Sequence, residues 1–133
     1  MTITFESYLT DATVTFSNGV QIINTTPHPI TFMEPDGKVI TCPADPEIVI
    51  NAKTIEKVIS TQFIQTVFIP TIEGEMIIAG LKEAYPNALI IGSIIAADTY
   101  KDVVGMCPCL GFERVPPAEK RMCTDKFNVG RAW

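Results

Sequence analysis

Ala88-Leu89-Ile90-Ile91-Gly92-Ser93-Ile94-Ile95-Ala96-Ala97-Asp98-Thr99-Tyr100, followed almost at once by Val103-Val104, is the stretch whose reading decides the fold. Ala88 to Ile91 is apolar at every position, the pattern of a strand covered on both faces. Gly92 and Ser93 interrupt the run, and the Ser93 hydroxyl suits the first cap of a short helix over Ile94 to Tyr100. Val103-Val104 then reads as the next strand. A strand, a helix and a strand within about eighteen residues form a tight βαβ-like unit near the C-terminus. Loops at the carboxyl ends of such strands are where α/β sheets place ligands, and Ser93 and Cys107 to Gly111 lie on those loops.

Toward the N-terminus the pattern is that of strands joined by turns. Ala12 to Ser17 alternates with a two-residue period, Asn18-Gly19 is a strong two-residue hairpin signal, and Val20 to Ile23 resumes the strand. Ile30 to Met33 and Lys38 to Cys42 flank Glu34-Pro35-Asp36-Gly37, which predicts a second hairpin. Two prolines, Pro43 and Pro46, place a loop after Cys42; Glu47 to Asn51 reads as another strand. Lys53 to Ile59 suits either strand or helix, whereas Phe63 to Ile69, rich in β-branched and aromatic residues, reads as strand up to Pro70. Glu75 to Gly80 is a short apolar run. Leu81 to Tyr85 has helix-forming composition stopped by Pro86. The segment from Pro116-Pro117 to Trp133 reads as loop or a short helix ending in one aromatic anchor. The expected fold class is therefore mixed α/β (α+β): mainly β with hairpins in the N-terminal part, and the βαβ-like unit after it.

With 133 residues, 47% of them hydrophobic and 19% charged, the chain reads as a single domain over 1–133, with enough core to fold without metal or disulfide. The net charge of −5 argues against binding duplex nucleic acid, whose affinity comes from phosphates neutralised by Lys and Arg. From Arg114 onward the balance reverses to +3, leaving −8 for the rest. The longest apolar run, Ala88 to Ala97, is half the roughly 20 residues that cross a bilayer, so no membrane partner is expected. Met1 to Glu6 lacks the basic and apolar regions of a signal peptide, which predicts a cytoplasmic protein, in the host cell if the protein is viral. In that compartment Cys42, Cys107, Cys109 and Cys123 are expected as thiols. The hydrophobic content and the contrasting basic end also predict a homo-oligomer.

The single histidine sits in Asn24-Thr25-Thr26-Pro27-His28-Pro29. Both prolines fix their own φ and push Thr26 and His28 out of helical geometry, so the imidazole is mounted on stiff extended backbone. Local turn bonds from Asn24 and Thr26, with His28 in a half-buried slot, are the plain structural alternative. Asn24, Thr26, Pro27 and His28 match four positions of Asn-Leu-Thr-Pro-His, and the segment resembles the opening of a family of small, largely uncharacterised proteins of bacteriophages and some bacteria. That family goes on to a strand ending in Ser, an Ala-rich short helix and an apolar strand leading into Pro-Asp-Thr-Gly. Residues 88–97 and 103–111 follow the same order, with Cys109 where the family has an acid and the first nineteen residues extra. The resemblance spans about residues 20 to 112 and carries no activity. It implies a phage or prophage setting and a site near His28, Ser93 and Cys109.

Three chemistries are compatible with these residues. Zinc is disfavoured because Cys107 and Cys109 are the one close pair and are separated by a single proline, where zinc sites use two to four residues. No metal and no cofactor are expected. A small enzyme acting on a nucleotide-like substrate would use Cys107 or Cys109 activated by His28, with Ser93 near an oxyanion, but no local signature supports it. Binding asks less: Asn24, Thr26 and His28 offer hydrogen bonds, Ser93 opens a helix, Cys109 lies on the adjoining loop, and Arg114 adds charge for a phosphate. The resulting expectation is a phage-encoded protein that binds a small nucleotide-like molecule, sequestering a host defence signal without catalysis. The small enzyme and a structural or protein-interaction protein are the alternatives.

Overall fold

The computed structural model describes residues 9–131; the expectations placed on Met1 to Glu6 and on Trp133 lie outside them. In chain order the elements are β1 (Thr13–Thr15), β2 (Gln21–Asn24), β3 (Ile30–Met33), β4 (Val39–Cys42), β5 (Ala52–Val58), β6 (Ile64–Pro70), α1 (Ile72–Ala84), β7 (Leu89–Ile91), α2 (Ile94–Thr99), β8 (Val103–Pro108) and β9 (Met122–Val129). They form a mainly β, α+β fold. Seven strands make one mixed sheet in the order β1-β2-β7-β8-β9-β3-β4, and β5 and β6 pair only with each other.

Both expected hairpins form, and at Asn18-Gly19 the loop has three residues where a two-residue turn was expected. In each, a residue's N–H and carbonyl bracket three loop residues: Phe16 N bonds Val20 O and Gly19 N bonds Phe16 O, and likewise Glu34 N bonds Lys38 O and Gly37 N bonds Glu34 O. Gly19 and Gly37 take φ of 90° and 93°, the left-handed position that closes a three-residue hairpin loop. The βαβ unit is also present, as β7-α2-β8 with β7 and β8 parallel. Ser93 caps α2 by accepting a bond from Ala96 N at 3.1 Å. Gly92 is required where β7 turns into α2, because a Cβ there would stand 2.5 Å from Val103 Cγ1.

The sheet is rolled around an apolar centre. Rings of Phe16, which follows β1, and Phe32 in β3 lie 4.9 Å apart, although five strand spacings separate β1 from β3 in sheet order, roughly 24 Å if the sheet were flat. Ser17 N and Oγ both donate to Glu34 Oε1 at 2.9 Å, so the two hairpin ends clasp each other, and Asn18 Nδ2 donates to Thr124 O of β9. The Ser17 bonds hold the Glu34 carboxyl below the usual glutamate range. Ile22, Ile30, Phe32, Cys42 and Ile91 fill the centre. On the outer face of β2, β7 and β8, a second cluster gathers Ile23, Ile90 and Val103 with Ile78 and Leu81 of α1 and Ala96, Ala97 and Tyr100 of α2. Adjacent residues of β7 thus face different clusters, the physical reason for its unbroken apolar run.

Three expectations need correction. Glu47 to Asn51 is not a strand: Asp45 caps a 3₁₀ turn at Pro46–Ile48, and Ile48 and Ile50 are buried without joining a ladder. Beyond Pro116, the chain adds a strand, β9, where loop or helix was expected; it is antiparallel to β8 and parallel to β3, and joins the two halves of the sheet. The helix α1 begins nine residues before Leu81, capped by Thr71 Oγ1 accepting from Gly74 N.

The β5–β6 pair forms an arm. All seven residues of each strand are paired, from Ala52 with Pro70 to Val58 with Ile64. α2 packs against both strands, and the half-buried residues Ala52, Val67 and Ile69 mark the root side, whereas Val58 and Phe63 at the tip are 73% and 66% exposed. At the root one hydroxyl joins the two strands to the body: Tyr100 Oη donates to Asn51 O and accepts from Thr71 N, each at 2.8 Å.

Candidate functional site

The link between β2 and β3 is built on Asn24, which is fully buried. Its Nδ2 donates to His28 O at 2.9 Å and Pro43 O at 3.1 Å; its Oδ1 accepts from Thr26 N at 2.9 Å and Thr26 Oγ1 at 2.7 Å. Two donor hydrogens and two acceptor lone pairs are the whole capacity of an amide. Asn24 therefore has nothing left for a ligand. Thr26 is likewise buried, its hydroxyl lying 2.9 Å from His28 O. Thr25, a residue not singled out as a site, ties the link to β7: its N and Oγ1 both donate to Ile91 O. The result is a polar staple at the mouth of the rolled sheet, holding β2, β3, β7 and the loop after β4 together. His28 contributes its carbonyl to this staple; its imidazole is exposed.

Ser93 is exposed, and its hydroxyl is engaged as the cap of α2. Cys109 is buried, with Sγ 3.8 Å from Met33 O. Burial, and then the neighbouring Cys123 thiol, push Cys109 above the usual thiol range, which opposes thiolate formation at neutral pH. Cys123 in turn places Sγ 3.6 Å from Pro108 O. Arg114 is exposed on the loop between β8 and β9.

These residues do not converge. Ile91, where β7 ends, is level with Val104, and Cys109 lies five residues further along, roughly 16 Å beyond that level. Among the described residues no hydrogen bond joins the side chains of His28, Ser93, Cys109 and Arg114 to one another, and they sit on three separate parts of the fold. Asn24, Thr26 and His28 stay together as a staple; Ser93 belongs to α2; Cys109 and Arg114 belong to the β8–β9 loop. Nor do the described residues hold any group of three or more His, Cys, Asp or Glu side chains placed to share a metal ion. No helix among the described residues is long and apolar enough to cross a membrane.

Open grooves lie elsewhere among the described residues. One, of about 530 Å³, runs between α1 and α2 past Glu75, Lys82, Tyr100 and Asp102, with Lys82 Nζ 3.2 Å from Asp102 Oδ1 on its rim. Another, of about 510 Å³, is lined by Pro108, Leu110, Glu113, Cys123, Asp125 and Lys126. Neither includes His28, Ser93, Cys109 or Arg114.

The surface feature that sequence reasoning missed is the arm. Ile55, Val58, Ile59, Phe63, Ile64 and Phe68 are all exposed on it. Read as sequence, such residues in strand pattern indicate core; their exposure becomes visible only once the other seven strands form their own sheet and leave this pair out. Comparison of the chain with protein-family models, with curated proteins and with solved structures finds no match.

Proposed function

We propose that this chain is a structural, protein-interaction protein that works through the β5–β6 arm. The observation that carries the reading is the set of large apolar side chains left in solvent on both faces of the arm. Large apolar side chains gathered in solvent on one projecting element, unlike singly scattered ones, mark a contact surface. The internal use of Asn24 and Thr26 adds support, since the polar groups assigned to a ligand are already bonded within the fold.

Thermal-shift titration with nucleoside mono- and diphosphates and with cyclic dinucleotides tests this reading against sequestration of a nucleotide-like signal. The expected result is an unchanged melting temperature across the series. A saturable rise that disappears in His28→Ala would overturn the interaction reading and restore the ligand-binding one.

A further inference from the structure

We infer that the occupant of the arm is a second copy of this chain, joined edge to edge along β6. The inference rests on the interaction reading above and adds to it the partner and the contact.

A two-stranded ribbon is marginal in water; a third strand or a covering layer is what makes such a sheet stable. Among the described residues the other seven strands belong to the rolled sheet, so none of them supplies the missing strand. Among the described residues β5 and β6 each have one edge without a paired strand, and the two edges differ. β5 carries Lys53, Glu56 and Lys57, whereas Ile64-Gln65-Thr66-Val67-Phe68-Ile69 carries no charge, and its one proline, Pro70, is the last residue of the strand. Exposed edges are ordinarily guarded by Lys, Pro or a bulge, and continuous pairing from Ala52 to Pro70 leaves no bulge here. The β6 edge is thus unguarded, and β5 is guarded.

An uncharged strand suits its own copy. Antiparallel pairing about a twofold axis through Thr66 sets Thr66 against Thr66, Gln65 against Val67 and Ile64 against Phe68 of the second copy, with no like charges opposed. Cross-strand pairs of these kinds are stabilising. The product is a four-stranded sheet, β5-β6-β6-β5, whose outer edges are the charged β5 strands, so growth stops at two copies. The six apolar side chains of one arm expose on the order of 600 Å². Edge pairing covers only the part of this surface carried by β6, where Ile64 of each copy lies beside Phe68 of the other, so the contact is at the small end of specific interfaces and corresponds to a concentration-dependent dimer.

Light scattering over about 1 to 100 μM, a range bracketing the expected affinity, tests the inference. The wild-type mass should rise from one chain toward two. Thr66 is exposed, so Thr66→Lys and Thr66→Glu should keep the wild-type circular dichroism and each remain a single chain, because each opposes two like charges across the axis. Mixed in equal amounts, the two variants should recover the mass of two chains. A wild-type protein that stays at one chain, a Thr66→Lys protein that dimerises like wild type, or a mixture that fails to recover would each overturn the inference. None of these results depends on the nucleotide titration, so the failure of one reading is distinct from the failure of the other.

Discussion

The strand β7 in the rolled sheet and the strand β6 in the arm are made of the same kinds of residue and end in opposite situations. Leu89-Ile90-Ile91 lies between two apolar clusters, with parallel neighbours on both sides. Ile64 to Ile69 has one neighbouring strand and much of its apolar surface in water. Local sequence therefore specifies strand in both places, while burial follows from topology. The rolled sheet satisfies itself, by the Ser17–Glu34 clasp at one end and the Asn24 staple at the other. The arm does not.

The most severe test of this contrast compares two phenylalanines. Phe32 is fully buried against Phe16, and Phe32→Ala should cost about 3–5 kcal/mol in urea unfolding, as expected for a large side chain deleted from a core. Phe63→Ala, measured at a concentration where the chain is monomeric, should change stability by no more than about 0.5 kcal/mol. Equal costs at the two positions would mean that the arm is covered within its own chain, and the comparison would break.

A smaller effect sharpens the contrast within a single loop. Asn24→Ala strips bonding partners from His28 O, Pro43 O and Thr26 N, and buried groups left unpaired cost roughly 1–3 kcal/mol each before water relieves them. His28→Ala removes only an exposed ring and should shift stability by less than about 0.5 kcal/mol. Chemical denaturation of the two variants side by side checks the ordering.

The smallest effect is in the pH dependence of the rolled sheet. Burial pushes the Cys42 thiol up to about 11 from 9.0. The folded chain therefore holds a proton that the unfolded chain has released between those values, so the stability contributed falls as pH rises from 9 toward 11 and is intact below 9. Unfolding free energies across that window should show this slope, and Cys42→Ala, though less stable, should show a shallower one, with the buried Cys109 thiol contributing what remains. Hydrogen exchange in the arm, which has no such thiol, should gain no matching step.

Much of this architecture was legible because it is local. Asn18-Gly19 and Pro35-Asp36-Gly37 announce their turns, and Ala88 to Val104 announces a strand, a capped helix and a strand. The misses were non-local. Met122 to Val129 mixes Asp125, Lys126 and Asn128 with apolar residues and has little strand character alone; pairing with β8 on one side and β3 on the other makes it a strand. Gly74 hides the start of α1, since glycine is a poor helix former; the adjoining hydroxyl of Tyr100 leaves no room there for a side chain. Glu47 to Asn51 alternates like a strand because Ile48 and Ile50 are buried, but Pro46 and the Asp45 cap turn the chain first. In the β2–β3 link the local turn bonds of Asn24 and Thr26 were legible as an alternative to a ligand role, whereas the bonds of Asn24 to Pro43 and of Thr25 to Ile91, 19 and 66 residues away, follow no local pattern.

The Tyr100 hydroxyl that joins Asn51 and Thr71 has a mechanical consequence. Seven paired residues make the arm a lever roughly 23 Å long, packed on α2 at its root and hydrogen-bonded, where both strands join the body, to that one oxygen. A tilt of about 10° there would carry the tip through roughly 4 Å, about one strand spacing. Thr71 also caps α1 through Gly74 N, so the same small rotation would pull on the first turn of that helix. The fulcrum of the arm is thus shared with α1, and a load on the tip, such as a docked strand, would be felt as torque at the start of the helix.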